Sequence, residues 1–420
     1  MDYLTIIGGA FIAWLVLVAL FTPGIPYHIE APLDARSGHF LYVLESICNT
    51  SLKPGNTIEI LTDGPRFYPA MLDAIASARE TINMECYIFK KGAIGDRFIE
   101  ALSERAKAGV RVTLVLDTIG SFGAFHQSAK PLRAAGCRVE LYHRVRWYTL
   151  ARLNNRTHRE LLVVDGRVAF AGGAGIADWW ITSSHRKSRN GIWRDTMARI
   201  EGPVVSAIQG VVAENWLECC GEILTGPETY SPQQAAGTTA AFTIKSSPAD
   251  RATSSRVLFQ TLLEGAQRHV SITTPYFLPD RALRKAFRRT ASRGVRIDVI
   301  VPGTATDQRW VRLASRRLYG PMLKAGVRIF EYDGAMLHAK TLIVDHLWAV
   351  IGTTNVDNRS FEHNDEINVA VRDDAIAARL FTDFAADIAH SREVSLDRWR
   401  RRPLWEKVIG SVAWVLERQQ

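Results

Sequence analysis

Cysteine is scarce in this chain of 420 residues: Cys48, Cys86, Cys137, Cys219 and Cys220 are odd in number and have no CxxC spacing. Neither a disulfide framework nor a zinc site is indicated, and the five read as buried free thiols. Acidic residues are outnumbered, 43 Asp and Glu against 52 Lys and Arg. That balance favours anionic partners, nucleic acid or acidic lipid, without choosing between them. A disorder-like composition is also missing, since 47% of residues are hydrophobic and 23% charged. The chain is long enough for two lobes with full cores.

Charge is absent from Leu4 to Phe21, a run close to the ~20 apolar residues a spanning helix needs. Thr22-Pro23-Gly24 ends it. A cleaved signal peptide is the main rival, but Asp2 stands where a basic residue belongs and no small-x-small site follows. The expectation is therefore a retained single-pass anchor over residues 1–25. Its flanks carry few charges, so they do not themselves fix its orientation.

The densest chemistry lies in His338-Ala339-Lys340-Thr341-Leu342-Ile343-Val344-Asp345, followed by Gly352-Thr353-Thr354-Asn355. Alternation along a strand sends His338 and Lys340 to one face with Leu342 and Val344. An imidazole, an ammonium and an amide beside a Gly-rich turn suit a phosphate: Lys340 gives charge, Asn355 gives N–H donors, and His338 can attack or protonate. The layout occurs earlier too, as His158-Arg159-Glu160-Leu161-Leu162-Val163-Val164-Asp165 before Gly172-Gly173-Ala174-Gly175, with the same steps from His to Asp to Gly. One such motif could be chance. Two imply a single composite site.

The surrounding order repeats as well. Phe67 to Ala78 and Arg97 to Ala108 have helical spacing, whereas Ile82 to Phe89 and Val110 to Leu116 read as strands. Ala-Gly-Val-Arg-Val at 108–112 returns as Arg-Gly-Val-Arg-Ile at 293–297, and Ala-Gly-Cys-Arg-Val at 135–139 returns as Ala-Gly-Val-Arg-Ile at 325–329. Each Gly fits a left-handed helix cap before a strand. The expected fold is α/β, two duplicated lobes, each a mixed, mostly parallel sheet flanked by helices. A connector spans 26–56, the first lobe 57–224, a Gly/Pro/Ser/Gln/Thr-rich linker 225–243, the second lobe 244–395 and a basic amphipathic tail 396–420.

Two further stretches carry basic and aromatic residues together. Arg144, Arg146, Trp147, Tyr148, Arg152 and Arg156 precede the first His, as a phosphate-rich contact or a solvated loop pinned by Trp147. Arg398-Trp399-Arg400-Arg401-Arg402-Pro403 leads into Trp405, Ile409, Val412 and Leu416 at helical spacing, with Trp414 beside them. Such a tail can lie in an anionic membrane interface, the reading preferred here, or pack on its own domain.

The paired motifs resemble the HxKxxxxD motifs of the phospholipase D superfamily, and several other stretches resemble its cardiolipin synthase branch. These are Trp193-Arg194-Asp195-Thr196, Ile200-Glu201-Gly202-Pro203, Thr274 to Asp280, Ala325 to Tyr332 and Asn355 to Phe361. The resemblance covers roughly residues 57 to 395. It implies two lobes related by a pseudo-twofold axis, with one motif from each meeting there, and chemistry that requires no metal or other cofactor. It also implies that one His attacks phosphorus and the other protonates the leaving alcohol, through a phosphohistidine-linked phosphatidyl intermediate. Matching the family pattern residue by residue puts Asp195 behind His338 and Glu366 behind His158, with His158 as nucleophile and His338 as acid. Asp165 and Asp345 point away from the site by alternation and are expected to fix turns or bond backbone.

The first motif departs from the pattern: Glu160 stands where Lys is expected and Gly175 where Asn is. A carboxylate beside a phosphate weakens binding unless it is protonated or paired. Glu160 therefore pairs with an Arg or contacts a substrate headgroup, or the first half is altered and slower, or the protein is a lipid binder without chemistry. Retention of both His and both supporting acids argues against the last. The function expected is a membrane-associated phosphatidyltransferase acting on phospholipids, phosphatidylglycerol first with phosphatidylethanolamine as a second candidate, with His158, His338, Lys340, Asp195 and Glu366 catalytic and Lys340, Asn355 and Glu160 at the substrate. The expected location is the cell membrane, with the catalytic part on the cytoplasmic side. The alternative is a hydrolytic phospholipase D or a metal-independent phosphodiesterase or nuclease, although the apolar anchor makes nucleic acid an unexpected partner.

Overall fold

The computed structural model describes residues 25–122, 128–144, 154–182, 191–248 and 253–417, together with residues 3, 7–11 and 14. Most of the Leu4 to Phe21 run, the stretch from Arg146 to Arg152, and the side chains of Val412, Trp414 and Leu416 lie outside the described residues. Among the described residues, no helix is long and apolar enough to cross a membrane.

The two halves share one strand order. In the first, Arg138–Tyr142, Arg111–Asp117 and Thr81–Cys86 run parallel, followed across the sheet by Leu161–Val164, Val168–Gly172, Thr196–Glu201 and Lys53–Thr62, each antiparallel to its neighbour. In the second, Arg328–Tyr332, Arg296–Pro302 and His269–Thr273 are parallel, followed by antiparallel Thr341–Val344, Trp348–Gly352, Asn364–Arg372 and Thr239–Ser246. Strands Lys53–Thr62 and Thr239–Ser246 then pair antiparallel, fusing both halves into one 16-stranded sheet. The glycines expected at helix ends, Gly109, Gly136, Gly294 and Gly326, all have φ between 86° and 98°, where a side chain would be strained.

The sheet is therefore mixed, but it is not mostly parallel as the alternation of helix and strand implied. The cause is the turn after each His motif. Asp165 and Gly166 have φ of 50° and 60°, and Asp345 and His346 have φ of 53° and 54°. A tight turn with two left-handed residues joins antiparallel neighbours, whereas parallel strands need a long crossover. Both aspartates do the backbone work expected of them. Asp165 accepts from the N–H groups of Arg79, Glu80 and Thr81 at 2.8–2.9 Å, and Asp345 from those of Gln267, Arg268 and His269 at 2.7–2.9 Å.

Two boundaries, and the burial of the thiols, differ from expectation. Within 26–56, helix Gly38–Ile47 buries Phe40 and Leu44 in the second lobe's core, and the Trp348 indole donates to the Ala35 carbonyl at 2.8 Å. Burial of apolar side chains makes this segment part of the fold and not a connector. The 225–243 linker ends early, because Thr239 already belongs to a central strand. Of the five free thiols, Cys48, Cys86 and Cys137 are buried, but Cys219 is partly accessible and Cys220 is exposed at the end of helix Val205–Cys220.

The central face of the sheet is covered by helices from both halves. Val205, Ile208 and Val212 from one helix and Ala377, Leu380 and Phe384 from helix Asp374–Ala389 share a core with Ile200, Leu161, Ile343 and Ile367. Replacing Asp345 by Ala should leave three N–H groups without their acceptor and lower stability by about 2 kcal/mol or more, measured as a fall in the thermal unfolding midpoint. An unchanged midpoint would mean that water replaces the carboxylate without cost.

Candidate active site

Each motif histidine is reached across the junction between halves. The His158 N–H donates to the Asp365 carbonyl at 2.9 Å, and the His338 N–H donates to the Arg194 carbonyl at 2.7 Å. Short parallel bridges beside them, Arg156–Thr157 on Asn364–Asp365 and Leu337 on Arg194, extend the contact. The residue after each accepting carbonyl is a carboxylate, so the backbone register delivers Glu366 and Asp195 to the rings.

His338 Nδ1 lies 2.8 Å from Asp195 Oδ2, and the ring packs against Trp180 and Trp193 with centroids 5.6 and 5.4 Å away. Asp195 also accepts from the Trp180 indole at 3.0 Å and the Thr196 N–H at 2.8 Å. Burial alone would raise its pKa, but the His338 bond and the His338 and Lys340 charges hold it below the ordinary value. Burial, then the neighbouring Lys340 ammonium, lowers the pKa of His338. Lys340 Nζ sits 2.9 and 3.0 Å from the two ring nitrogens of His338 and donates to its carbonyl at 2.6 Å. Burial pushes its pKa down to about 8 against the opposing pull of Asp195 and Glu366.

In the other pair, His158 Nδ1 is 3.0 and 3.1 Å from the two oxygens of Glu366. The Thr353 hydroxyl and the Asn364 amide donate to the same fully buried carboxylate. Tyr87 meets the His158 ring edge-on with centroids 5.2 Å apart. Lys340 interacts electrostatically with both Glu366 and Asp195, so one ammonium serves both imidazole–carboxylate pairs. Asn355 is buried, and its Oδ1 has no hydrogen-bond partner among the described residues. Among the described residues, no group of three His, Cys, Asp or Glu side chains could hold a metal ion.

Glu160 does not pair with an arginine among the described residues. Its Oε1 accepts the Ile88 N–H at 3.0 Å, and burial raises its pKa well above the carboxylate range. Arg159 faces away, donating to the Val211 and Ser246 carbonyls and to Glu214 at 2.9–3.3 Å, although residues 158–160 lie between two strands and not within one. Sequence reasoning missed the cage around His338, although Trp193 lies only two residues before Asp195 in the chain. It also missed Arg194, which lies 3.0 Å from Asp387, 3.6 Å from Asp63 and 3.7 Å from Asp383 and so clamps the strand that carries Asp195.

Residues 71–187 and 259–388 match the family model described as cardiolipin synthase, PLD-like domain. The chain belongs to this family. The major cardiolipin synthase of Bacillus subtilis is 32% identical over 401 residues, covering 94% of this chain and 82% of that protein. A cardiolipin synthase of Staphylococcus aureus is 30% identical over 368 residues, covering 87% and 74%. Among solved structures, phosphatidylserine synthase of Haemophilus influenzae superposes with a TM-score of 0.66 at 14% identity, covering 91% of this chain and 100% of that one. Polyphosphate kinase of Porphyromonas gingivalis gives 0.56 at 12% identity, covering 81% and 49%. These two likenesses show the fold. As a member of the cardiolipin synthase, PLD-like family, the protein is a phospholipase D-type phosphatidyltransferase.

The glycine turn of the first motif is tightly enclosed. A Cβ on Gly175 would lie 2.6 Å from the Ile88 carbonyl oxygen and 2.7 Å from Glu160 Oε1. Gly175→Ala should therefore destabilise the protein by about 1–3 kcal/mol, seen in denaturant unfolding as a lower midpoint with an unchanged slope.

Proposed function

We propose that the protein makes cardiolipin or a closely related phospholipid by moving a phosphatidyl group from phosphatidylglycerol to the hydroxyl of a second lipid. The observation carrying this is the pair of imidazole–carboxylate contacts, each built from both halves, with Lys340 interacting with both carboxylates. His158 Nε2 attacks phosphorus while Glu366 holds its Nδ1 proton. A P–N bond forms, the P–O bond to the leaving glycerol breaks, and the alkoxide takes its proton from His338. His338 then receives the proton of an incoming lipid hydroxyl, whose oxygen attacks phosphorus as the P–N bond breaks. Water in place of that alcohol would give hydrolysis. Phosphatidylethanolamine is the competing donor to test.

His338 suits the acid role because Asp195 stabilises its imidazolium and burial makes its proton easy to give up. Lys340 and the Asn355 amide are assigned to the phosphoryl oxygens. Since the charge on Lys340 is present below about pH 8 and lost above it, KM for phosphatidylglycerol should rise as pH passes 8. A KM that stays flat from pH 7 to 9.5 would remove Lys340 from substrate binding.

The same reading places the protein at the membrane, through a single N-terminal pass with the catalytic part on the cytoplasmic side. The five free thiols fit a reducing compartment. The C-terminal helix Leu404–Glu417 supports bilayer contact from the other end of the chain. It packs on helix Arg309–Lys324, where Glu406 pairs with Arg316 at 2.7 Å, so the tail is docked on its own lobe. It nevertheless leaves Leu404, Trp405 and Val408 exposed at 76%, 58% and 64%, near exposed arginines 398, 400 and 401. Apolar side chains rimmed by arginine suit an anionic interface.

The deciding experiment incubates the purified protein with phosphatidylglycerol vesicles and follows lipids by mass spectrometry, with and without phosphatidylethanolamine. Cardiolipin and free glycerol should appear, and His338→Ala should lower the rate by roughly a thousandfold or more. Absence of both products, while a control synthase forms them, would end this reading. The double change Leu404→Ser with Trp405→Ala should weaken co-sedimentation with anionic vesicles severalfold in a protein lacking residues 1–24, whose described part carries its own cores.

A further inference from the structure

A cavity beside the C-terminal helix belongs to neither His motif. It measures about 590 Å³, and four arginines, Arg316, Arg398, Arg401 and Arg402, line it together with Asp397 and Glu406. That volume is within the range of small-ligand sites. The two acids do not neutralise it. Arg316 is paired with Glu331, and with Glu406 at 2.7 Å, while Asp397 has Arg400 at 3.7 Å. The guanidinium groups of Arg398 and Arg401 have no hydrogen-bond or ion-pair partner among the described residues.

Arg402 differs from these two in being enclosed, with a side chain only 9% exposed. Its Nη1 donates to the Trp399 carbonyl at 2.8 Å, the group lies 3.9 Å over the Trp399 ring, and Nε is 3.9 Å from Glu406. Nη2 has no hydrogen-bond partner among the described residues. Burial lowers the pKa of Arg402 in spite of Glu406, and Arg316 and Arg317 add to the fall. A buried guanidinium crowded by other cations and short of acceptors is a place for an anion.

The surroundings favour a lipid over a soluble anion. Pro403 lines the cavity, and the residues that follow it, Leu404 and Trp405, are exposed, as is Val408. Leu404 and Val408 stand four apart on helix Leu404–Glu417 and so share a face. A phosphate with acyl chains attached meets both the arginines and this apolar face, whereas inorganic phosphate meets the arginines alone. Position also separates the cavity from the transfer site. Residues 395–406 follow the edge strand Ser391–Glu393, which is four strand spacings, about 19 Å, across the sheet from the motif strand Thr341–Val344.

We propose that this cavity binds the phosphodiester headgroup of an anionic phospholipid as a fixed membrane contact, in addition to the lipid being transferred, with Leu404, Trp405 and Val408 among its acyl chains. Arg398 and Arg401 close on the phosphate as forks, and Arg402 supplies the buried charge beneath it. This rests on the bilayer reading of the C-terminal helix and names the lipid class that the helix meets.

The test uses the full-length protein carrying His338→Ala, so that the probe is not consumed, in phosphatidylcholine vesicles containing a photoreactive phosphatidylglycerol. Cross-linked peptides are mapped by mass spectrometry. Residues 395–408 should be labelled, and Arg398→Ala with Arg401→Ala should lower that labelling roughly tenfold. The thermal unfolding midpoint should stay that of the parent, because neither guanidinium has a partner to lose. Labelling of the peptide that holds His158 should persist. Arg398→Lys with Arg401→Lys keeps the charge without the fork and should recover less than half of the loss. Unlabelled phosphatidylglycerol should compete, and millimolar inorganic phosphate should not. Labelling left intact by the Ala pair, an equal loss at His158, full recovery by the Lys pair, competition by inorganic phosphate, or equal labelling from a photoreactive phosphatidylcholine would each overturn the proposal. If the Ala pair made no difference while Leu404→Ser with Trp405→Ala still weakened vesicle binding, the bilayer contact would stand and the headgroup site would fall.

Discussion

Two backbone hydrogen bonds crossing between the halves set everything else at the centre of this molecule. A peptide N–H and C=O buried together must pair, so the register between His158 and Asp365, and between His338 and Arg194, is fixed to within one residue. Because the next side chain along is Glu366 in one case and Asp195 in the other, each ring finds its carboxylate without any search by flexible side chains. The aspartates at the turns anchor the far ends of the same segments to backbone. The site is precise because extended segments bonded across the junction carry it: Glu366 lies within a strand, and the two histidines, Lys340 and Asp195 lie just ahead of one.

Much of this was readable beforehand, and for definite reasons. A seven-residue step from His to Asp, repeated, requires an extended segment ending in a tight turn, and glycines before each repeated strand require left-handed caps. What could not be read was whatever depends on distant partners. Nothing local in Gly38–Ile47 says that Phe40 and Leu44 belong to a core 200 residues away in sequence. Helix-strand alternation points to parallel pairing, but the two left-handed turns impose antiparallel hairpins that alternation does not register. The orientation of Glu160 depends on the Ile88 N–H, a contact across 72 positions.

The duplication is close in backbone and loose in chemistry. Strand order, turn conformation and the crossing hydrogen bonds repeat between the halves, whereas the polar equipment differs: an ammonium with an amide on one side, a buried carboxyl with a glycine on the other. A dimer of identical single-motif chains would have to carry any such change twice. Joining the halves in one chain removes that constraint and lets the two halves carry different groups at one junction.

The continuous ladder through Lys53–Thr62 and Thr239–Ser246 has a mechanical corollary. Two bodies that share one sheet cannot swing apart like jaws, since opening them would tear backbone bonds and the core of Ile200, Ile343 and Ile367 beneath. Whatever reaches the two histidines must therefore do so without a hinge between the lobes, past side chains and surface segments alone.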